Sequence, residues 1–410
     1  MQIYLVGGAV RDGLLGLPIR ERDWVVTGST PDEMKQQGYT QVGKDFPVFL
    51  HPVTKEEYAL ARTERKTGSG YTGFTCQASP SVTLEEDLLR RDLTINAMAQ
   101  DITGAIIDPY GGRADLQKKV LRHVSPAFAE DPLRILRVAR FLARFHHGGF
   151  TLAPETLALM QQMVVRGEVD FLVAERIWRE FQTALNERNP EVFIHTLRAC
   201  HALAIVMPEI DRLFGVPQRQ DYHPEIDTGI HAVMSLQLAT RLSQDARVRF
   251  AALVHDVGKA DTPPDIWPRH IGHEKRSVPI INRLCKRLSI PNDYRDLALI
   301  AAEYHTHCHR SGELKEETVY RVLKACGAFR SSENLEQFLT VCEADARGRK
   351  GLENQPYGQA ERFRQALRAC QAVSTVELQR EGYQGVHLGQ ELQRRHLEAI
   401  RLLAPRLSGI

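Results

Sequence analysis

The chain has 410 residues, 43% hydrophobic and 25% charged, so it is long enough for about two to four domains and is not disordered throughout. Its 53 Lys and Arg nearly balance 51 Asp and Glu, and this net charge of +2 excludes a uniformly polycationic protein. The seven cysteines are dispersed and form no C-x-x-C pair, which argues against a disulfide framework. Without a signal-peptide pattern or an apolar run of about 18 residues, the sequence predicts a cytoplasmic protein that does not span a membrane.

Strand-type runs and helical patterns alternate through roughly the first 115 residues. The strand-type runs lie at 3–6, 24–26, 48–50, 57–61 and 105–107. From about residue 120 the strand signals nearly vanish, and segments such as DPLRILRVARFLARF have helical periodicity. The sequence therefore predicts an α+β protein: a small mixed-sheet head followed by helical regions.

The first candidate site begins at a glycine pair. Gly7 and Gly8 follow an apolar strand, where they permit close backbone approach to a phosphate group. A glycine pair after a strand is also common in ordinary turns, so this signal is weak alone.

Carboxylates strengthen that signal. Glu21 and Asp23 are two residues apart, which in a strand places them on one face, and Glu57 lies in another predicted strand. Three converging carboxylates suit Mg²⁺ and two-metal phosphoryl transfer. The alternative is that Glu21 and Asp23 belong to a solvated strand face.

Two arginine-rich segments add possible phosphate ligands. RRDLTINA places Arg90 and Arg91 beside a carboxylate and an asparagine. Farther on, Asp131 and Pro132 predict a helix start. The spacing then places four arginines on one face of that helix, namely Arg134, Arg137, Arg140 and Arg144. Such a face is usually solvated, but the fixed guanidinium fork also matches a phosphate or a base edge.

The order of these motifs resembles the class II tRNA nucleotidyltransferases, the CCA-adding enzymes of the superfamily that includes DNA polymerase β. The resemblance rests on GGAVRD, E-x-D, RRDLTINA, EDPLRILRVARF and ERIWREF, and it covers residues 1 to about 215. It extends into the C-terminal half, as in the multifunctional bacterial members of the family. It implies a polymerase-β-like nucleotidyltransferase head.

The resemblance also implies roles for individual residues. Gly8, Arg11 and Arg91 would contact the nucleotide phosphates, while Glu21 and Asp23 would hold Mg²⁺ with support from Glu57. Asp131 and Arg134 would recognise the base edge of CTP or ATP, so that protein replaces a nucleic-acid template. Arg137 and Arg140 would complete the nucleotide pocket. The basic stretch 62–71 resembles the flexible loop linked to the switch from C to A addition.

One residue departs from the family pattern. The family normally has Asp at the first carboxylate, where this chain has Glu21. The additional methylene lengthens the reach by about 1.5 Å, and Mg²⁺ demands near-ideal octahedral geometry. Unless the backbone adjusts so that Glu21 can still bind the ion, this difference predicts retained nucleotide binding with impaired transfer.

A second candidate site lies in a histidine-rich region. His231 precedes the adjacent pair His255 and Asp256 by 24 residues, and imidazole with carboxylate suits Zn, Ni, Mn or Fe. A metal held this way activates water for attack on phosphate esters. Further candidate ligands are His273, His305 and Asp345, whereas His307 and His309 are predicted at the surface.

The pattern H…HDxGK resembles the HD phosphohydrolase domain over residues 228 to 329. In the multifunctional members this domain is credited with phosphatase, 2′-nucleotidase and 2′,3′-cyclic phosphodiesterase activities, with Ni²⁺ favoured. The alternative is an inert helical tRNA-binding domain with a vestigial His-Asp pair.

Together these features predict four regions: a nucleotidyltransferase head (1–120), a helical neck (121–220), an HD domain (225–330) and a helical tail (331–410). The predicted function is template-independent addition and repair of the tRNA 3′-terminal CCA from CTP and ATP, with release of pyrophosphate. The predicted cofactors are Mg²⁺ and a divalent transition metal, the partner is tRNA, and the chain is a monomer or homodimer. Two alternatives are a poly(A) polymerase of the same superfamily and a tRNA-binding protein impaired by Glu21.

Overall fold

The computed structural model describes residues 1–42, 48–66 and 74–403. The chain divides into two compact units, Met1–Val206 and Met207–Ile410. The four-region division made from the sequence is finer than this and stays a prediction.

The first unit contains the strands of the described residues and nine α-helices. Its strands are β1 (Gln2–Val6), β2 (Asp23–Thr27), β3 (Thr40–Val42), β4 (Val48–Leu50), β5 (Glu57–Leu60), β6 (Arg62–Lys66), β7 (Phe74–Ala78), β8 (Ala99–Gln100), β9 (Ile106–Ile107), β10 (Val120–Leu121) and β11 (Thr151–Leu152). Its helices are α1 (Gly8–Leu14), α2 (Pro31–Gln36), α3 (Leu84–Leu89), α4 (Gly112–Lys118), α5 (Leu133–Phe145), α6 (Pro154–Val165), α7 (Ala174–Leu185), α8 (Pro190–Ala199) and α9 (Leu203–Val206). The prediction of an α+β head followed by helices is confirmed.

Seven strands form one mixed sheet in the order β3-β4-β5-β2-β1-β8-β9. Successive side chains of a strand point to opposite faces, so the neighbours Val25 and Val26 of β2 enter two different apolar clusters. β2 is antiparallel to β1 and parallel to β5. This register places Asp23 beside Val6 on one side and Glu57 on the other, at the edge where β1 runs into its glycine turn.

Strands β6 and β7 pair as a separate antiparallel hairpin. β6 is the first half of the stretch 62–71 that was predicted to be the flexible loop. Residues 67–71 of that stretch lie outside the described residues.

The second unit is helical throughout its described part. Its helices are α10 (Pro208–Asp211), α11 (Thr228–Leu242), α12 (Ala246–Val254), α13 (His273–Arg287), α14 (Asn292–His309), α15 (Glu316–Ala325), α16 (Ser332–Arg347), α17 (Gln359–Gln371), α18 (Thr375–Arg380) and α19 (Gly385–Arg401). Helices α11, α12, α14 and α16 pack on one another, so the start of the predicted tail shares a core with the predicted HD domain.

None of the helices in the described ranges is both long and apolar enough to cross a membrane. The six cysteines with described side chains are free and buried, in agreement with the predicted absence of a disulfide framework.

A tight approach at Gly112 yields a first prediction. A Cβ atom at this residue would lie 2.3 Å from the carbonyl oxygen of Thr94 and 2.8 Å from Met98 Cγ. Because this space is closed, Gly112→Ala is expected to destabilise the first unit by about 2 kcal/mol. The loss in free energy of unfolding is measured by urea denaturation, with hydrogen exchange of first-unit amides as the probe.

Gly389→Ala is the matched control, since Gly389 lies inside α19 and its Cβ would meet no atom within 4 Å. That substitution is expected to leave stability unchanged or raise it by about 0.5–1 kcal/mol. Equal stabilities of the two variants would contradict the packing argument.

Candidate functional site

The first unit has an open pocket of about 490 Å³ at the glycine turn. Its lining residues are Gly7, Gly8, Arg11, Glu21, Asp23, Arg90, Arg91, Asp92, Asn96, Asp131, Leu133, Arg134, Arg137, Phe141 and Arg176. Six arginines and four carboxylates give it a formal excess of two positive charges, which suits a polyanionic ligand. Of the residues predicted for this site, the described lining lacks Glu57 and Arg140.

The turn itself requires glycine. Gly7 has φ +67°, and a Cβ there would lie 2.9 Å from Arg91 Nη1. The missing side chain therefore lets the Arg91 guanidinium lie against the end of β1. Arg91 also pairs at 3.2 Å with the buried Asp87, which holds the guanidinium at the pocket.

The carboxylates occupy different backbone settings. Asp23 begins β2 and faces Glu57 across the parallel pair, whereas Glu21 lies in the coil before the strand. Burial raises the pKa of Asp23, the nearby Arg91 lowers it, and the charge of Glu21 raises it again. Carboxylate oxygens of Glu21 and Asp23 in a pocket open to phosphate fit a Mg²⁺ site.

A buried carboxylate organises the pocket wall. Asp92 accepts from Arg137 Nε at 2.8 Å and from Asn96 Nδ2 at 3.0 Å. Burial alone would raise the pKa of Asp92, but the charge of Arg137 and these two hydrogen bonds hold it well below its usual value. Asp92 is therefore a fixed negative charge that holds Arg137 and Asn96 in place.

The same network continues to the glycine turn. Asn96 Oδ1 accepts from Arg11 Nη1 at 2.6 Å, and Arg11 Nε donates to Asp12 at 2.8 Å. The Arg11 guanidinium also lies 5.2 Å from the ring centre of Phe141. Burial lowers the pKa of Arg11 against the opposing effect of Asp12, so this cation is held by its partners.

The arginine face of α5 is not a solvated face. Arg134 donates to the backbone oxygens of Ala127 and Arg90 at 2.7 and 2.6 Å. Arg140 pairs with Glu180 at 2.6 Å and Arg144 with Asp12 at 2.9 Å. A purely solvated face is therefore excluded for the buried Arg134 and for Arg140. Arg137 and Arg144 are partly exposed and also paired.

The predicted helix start is confirmed, because Asp131 Oδ1 accepts from the backbone N–H of Leu133, the first residue of α5. Its other oxygen pairs with Arg176 at 3.2 Å. Arg176 is the first arginine of the motif ERIWREF, and no role was predicted for it from the sequence. Arg176 and Asp131 are 45 residues apart in sequence, so their contact exists only in the folded unit.

The second unit brings the predicted histidine site together. Residues of α11, α13, α14, α16 and the end of α12 converge, and groups of three ligand atoms lie within 4.8 Å of one another. The residues in the overlapping central groups are His231, His255, Asp256, His273, His305 and Asp345, all of which the sequence analysis named.

Two buried carboxylates lie at the centre of this cluster. Asp256 Oδ1 is 3.1 Å from His273 Nε2 and 3.5 Å from His305 Nε2. Asp345 Oδ1 is 2.9 Å from His231 Nε2, and its Oδ2 is 3.6 Å from His255 Nε2. Burial alone would raise the pKa of both carboxyls, yet neighbouring cationic groups lower both pKa values well below the usual range.

The cluster fits a metal ion. His255 Nε2 and Asp256 Oδ1 are buried and lie 3.1–3.6 Å from oppositely charged neighbours, but neither makes a well-directed hydrogen bond in the described part of the chain. Such unsatisfied groups are costly unless something else binds them. Imidazole and carboxylate donors match divalent transition metals, and a metal bound there would polarise water or a phosphate oxygen.

Three residues around the cluster were missed or misplaced by the sequence reasoning. Glu225 Oε1 lies 3.0 Å from His231 Nδ1, an arrangement that orients a metal-binding imidazole. Lys259 Nζ lies 2.6 Å from Asp256. His309, predicted at the surface, contacts Asp345 at 2.6 Å, so that prediction is wrong. His305 and His309 are four residues apart in α14, and this spacing was the available signal.

Proton competition gives a testable property of the cluster. Burial alone would lower the pKa of His255, but Asp256 and Asp345 raise it to about 10. A metal that binds this imidazole must displace its proton, so affinity for Ni²⁺ is expected to rise about tenfold per pH unit from about pH 7 to 9. Titration calorimetry measures the slope. His307→Ala, outside the cluster, should retain it, and a pH-independent affinity would contradict the assignment.

Comparison with known proteins identifies three family matches along the chain. Residues 3–122 match the poly A polymerase head domain family, residues 149–214 a family described as a probable RNA and SrmB-binding site of polymerase A, and residues 228–340 the HD domain family. The HD match includes the start of α16, beyond the boundary predicted at residue 330.

Solved structures share the fold over nearly the whole chain. A CCA-adding enzyme in complex with ATP has TM-score 0.66 at 19% identity, covering 97% of this chain and 86% of that one. The Thermotoga maritima CCA-adding enzyme complexed with tRNA has TM-score 0.63 at 19% identity, covering 97% and 87%.

Full-length relatives are much closer in sequence. The multifunctional CCA protein of Thioalkalivibrio sulfidiphilus is 59% identical over all of both chains. That of Vibrio cholerae serotype O1 is 58% identical over 98% of this chain and 100% of its own length. Because such relatives span the whole chain, the protein belongs to the family of multifunctional CCA proteins.

Proposed function

We propose that this chain adds and repairs the 3′-terminal CCA of tRNA from CTP and ATP. The observation that carries the proposal is the pocket of the first unit, where positive charge, two carboxylates and a buried arginine–aspartate network surround one space. The full-length relatives are named for CCA and not for polyadenylation. This favours CCA addition over the poly(A) polymerase alternative.

Different residues of the pocket contact different parts of the nucleotide. Arg11 and Arg91 bind the triphosphate, Asp131 and Arg134 present acceptor and donor groups to the base, and Arg137 completes the nucleotide contacts. Arg140 supports this wall through Glu180. Because these groups are held by internal partners, base selection needs no nucleic-acid template.

Glu21 and Asp23, supported by Glu57, would hold Mg²⁺, which lowers the cost of charge developing on the phosphates. The tRNA 3′-hydroxyl gives up its proton to water and its oxygen forms a bond to the α-phosphorus. The bond from that phosphorus to the α–β bridging oxygen breaks, and pyrophosphate leaves. The arginines of the pocket bind the departing negative charge.

The second unit is proposed to be a phosphohydrolase. His231, His255 and Asp256, with His273, His305 and Asp345, would hold a divalent transition metal, with Ni²⁺ favoured, which supplies activated water. The reaction class is hydrolysis of phosphate esters, including 2′-nucleotides and 2′,3′-cyclic phosphates. The orphaned donor atoms at the cluster support this role over a vestigial His-Asp pair.

The nucleotidyltransferase is tested with tRNA that lacks its CCA end. Asp23→Asn is expected to reduce CMP incorporation from labelled CTP at least 100-fold, because the metal loses a charged ligand. His255→Ala, in the second unit, is the control and should retain full incorporation. Equal loss in both variants would refute the assignment of Asp23.

Glu21 is tested by restoring the family residue. Impaired transfer was expected unless the backbone adjusts, and Glu21 lies in the coil before β2, outside the hydrogen-bonded strand that would fix its position. Glu21→Asp is therefore expected to change CMP incorporation less than about threefold. A gain of tenfold or more would support the impaired alternative.

The phosphohydrolase is tested by hydrolysis of 2′,3′-cyclic AMP in the presence of Ni²⁺. Wild type should hydrolyse it and His255→Ala should not, while Lys286→Ala, at the far end of α13, should match wild type. No hydrolysis by any of the three proteins would refute the hydrolase half of the proposal.

A further inference from the structure

A second cavity of the second unit, of about 270 Å³, borders the histidine cluster. It is hereafter the arginine pocket, defined by Arg219, Tyr222, Lys259, Arg269, His273 and Arg349. His273 belongs to the proposed metal cluster, so the cavity opens onto that centre. The volume is near the lower end, about 300 Å³, of pockets that bind small molecules.

The charge of the arginine pocket is one-sided. Four of its lining residues are cationic, and its described lining contains no carboxylate. A neighbouring cavity of the same unit differs, since Glu274 and Glu313 lie beside its Arg310. Three cations of the arginine pocket pair with carboxylates from outside the lining, namely Asp221, Asp256 and Asp345. The charged groups that the described lining presents to the cavity are nevertheless all cationic, which favours an anionic ligand.

Arg349 is the residue best placed to bind that anion. Its side chain is 18% exposed, and its Nη2 lies 3.7 Å from Asp345 Oδ1 of the metal cluster. Its Nη1 donates to the Tyr222 carbonyl oxygen at 3.2 Å, while its Nε is buried without a hydrogen-bond partner in the described residues. A buried guanidinium N–H without an acceptor is costly, and a phosphate oxygen would satisfy it.

The backbone holds Arg349 at the cluster. The carbonyl oxygen of Gly348 lies 3.2 Å from His231 Nδ1, and the N–H of Lys350 donates to Glu225 at 3.3 Å. Gly348 is required because a Cβ would lie 2.7 Å from Ser235 Cα in α11. The residues on both sides of Arg349 are thus tied to the groups that surround His231.

An aromatic side chain lies at the same pocket. The Tyr222 side chain is exposed, and the Arg219 guanidinium lies 4.8 Å from its ring centre. Exposed aromatic and guanidinium planes bind nucleobases by stacking. A nucleobase platform beside a phosphate-binding arginine matches a nucleotide better than a simple phosphate ester.

We propose that the arginine pocket is the substrate subsite of the histidine centre, where Arg349 binds the phosphate of a ribonucleotide and Tyr222 with Arg219 stacks on its base. This inference rests on the proposed hydrolase function and adds its recognition residues. The ligand chemistry is a 2′-phosphate or 2′,3′-cyclic phosphate, either on a free nucleotide or at an RNA 3′ end.

Phosphate binding tests the subsite independently of turnover. Inorganic phosphate is titrated by calorimetry into the full Ni²⁺-loaded chain and its variants. Arg349→Gln is expected to raise the Kd for phosphate at least tenfold, and Arg349→Lys about threefold because it keeps the charge but loses the planar fork. The control Arg310→Gln, an exposed arginine of the neighbouring cavity, should match wild type. Equal Kd values for wild type and Arg349→Gln, or no binding to wild type, would overturn the proposal.

Kinetics separate phosphate from base recognition. Arg349→Gln should raise KM for both 2′-AMP and glycerol 2-phosphate, whereas Tyr222→Leu should raise KM about tenfold for 2′-AMP alone. Unchanged KM values in Arg349→Gln would overturn the subsite. Ni²⁺ binding at the wild-type stoichiometry by each variant checks that the second unit is folded.

The two proposals fail in different ways. If wild type hydrolyses neither ester while Arg349→Gln loses phosphate binding, the hydrolase function is refuted and the anion site is supported. Comparing 2′,3′-cyclic AMP with a short RNA that ends in the same cyclic phosphate identifies the source. The substrate with the lower KM is the one that the pocket binds, and either result supports the subsite.

Discussion

The pocket of the first unit depends on one constraint: the buried carboxylate of Asp92 must meet positive charge. Arg137 and Asn96 donate hydrogen bonds to this carboxylate, and Asn96 in turn accepts a hydrogen bond from Arg11 at the glycine turn. Removing one member of such a network leaves an uncompensated buried charge, which costs about 3–5 kcal/mol. The arginines that would contact a nucleotide therefore have fixed positions before the nucleotide arrives, and this rigidity lets side chains replace a template.

The second unit meets the same constraint incompletely. Asp256 and Asp345 are surrounded by histidines and Lys259, yet His255 Nε2 and Asp256 Oδ1 have no hydrogen-bond partner among the described residues. The first network is satisfied by its own residues and suits a binding wall. The second network has nitrogen and oxygen atoms without hydrogen bonds, so it suits a metal. Arg349 lies at the edge of that network and has a further N–H without a hydrogen bond.

Local signals made much of this predictable from sequence. The glycine turn after β1 and the start of α5 at Asp131 depend on local sequence patterns. The six histidine-site residues lie on or next to several helices and were predicted from the H…HDxGK motif, the other histidines and the resemblance to the HD domain. Arg176 was not predictable because its partner Asp131 is 45 residues away in sequence. Glu225 and Arg349 are near His231 and Asp345 in sequence, but only the fold shows that they contact these two residues of the cluster. The family resemblance supplied roles for Asp131 and Arg134, whereas the internal partners of these residues came only from the structure.

The central claim is that the Asp92 network, set before ligand binding, makes the first pocket a nucleotidyltransferase site. The most direct measurement is kcat/KM for CMP incorporation by Asp92→Asn, which keeps the shape and removes the charge, alongside Ni²⁺-dependent hydrolysis of 2′,3′-cyclic AMP by the same protein. The account predicts at least a 100-fold loss of incorporation with hydrolysis unchanged. Incorporation at the wild-type rate would contradict it.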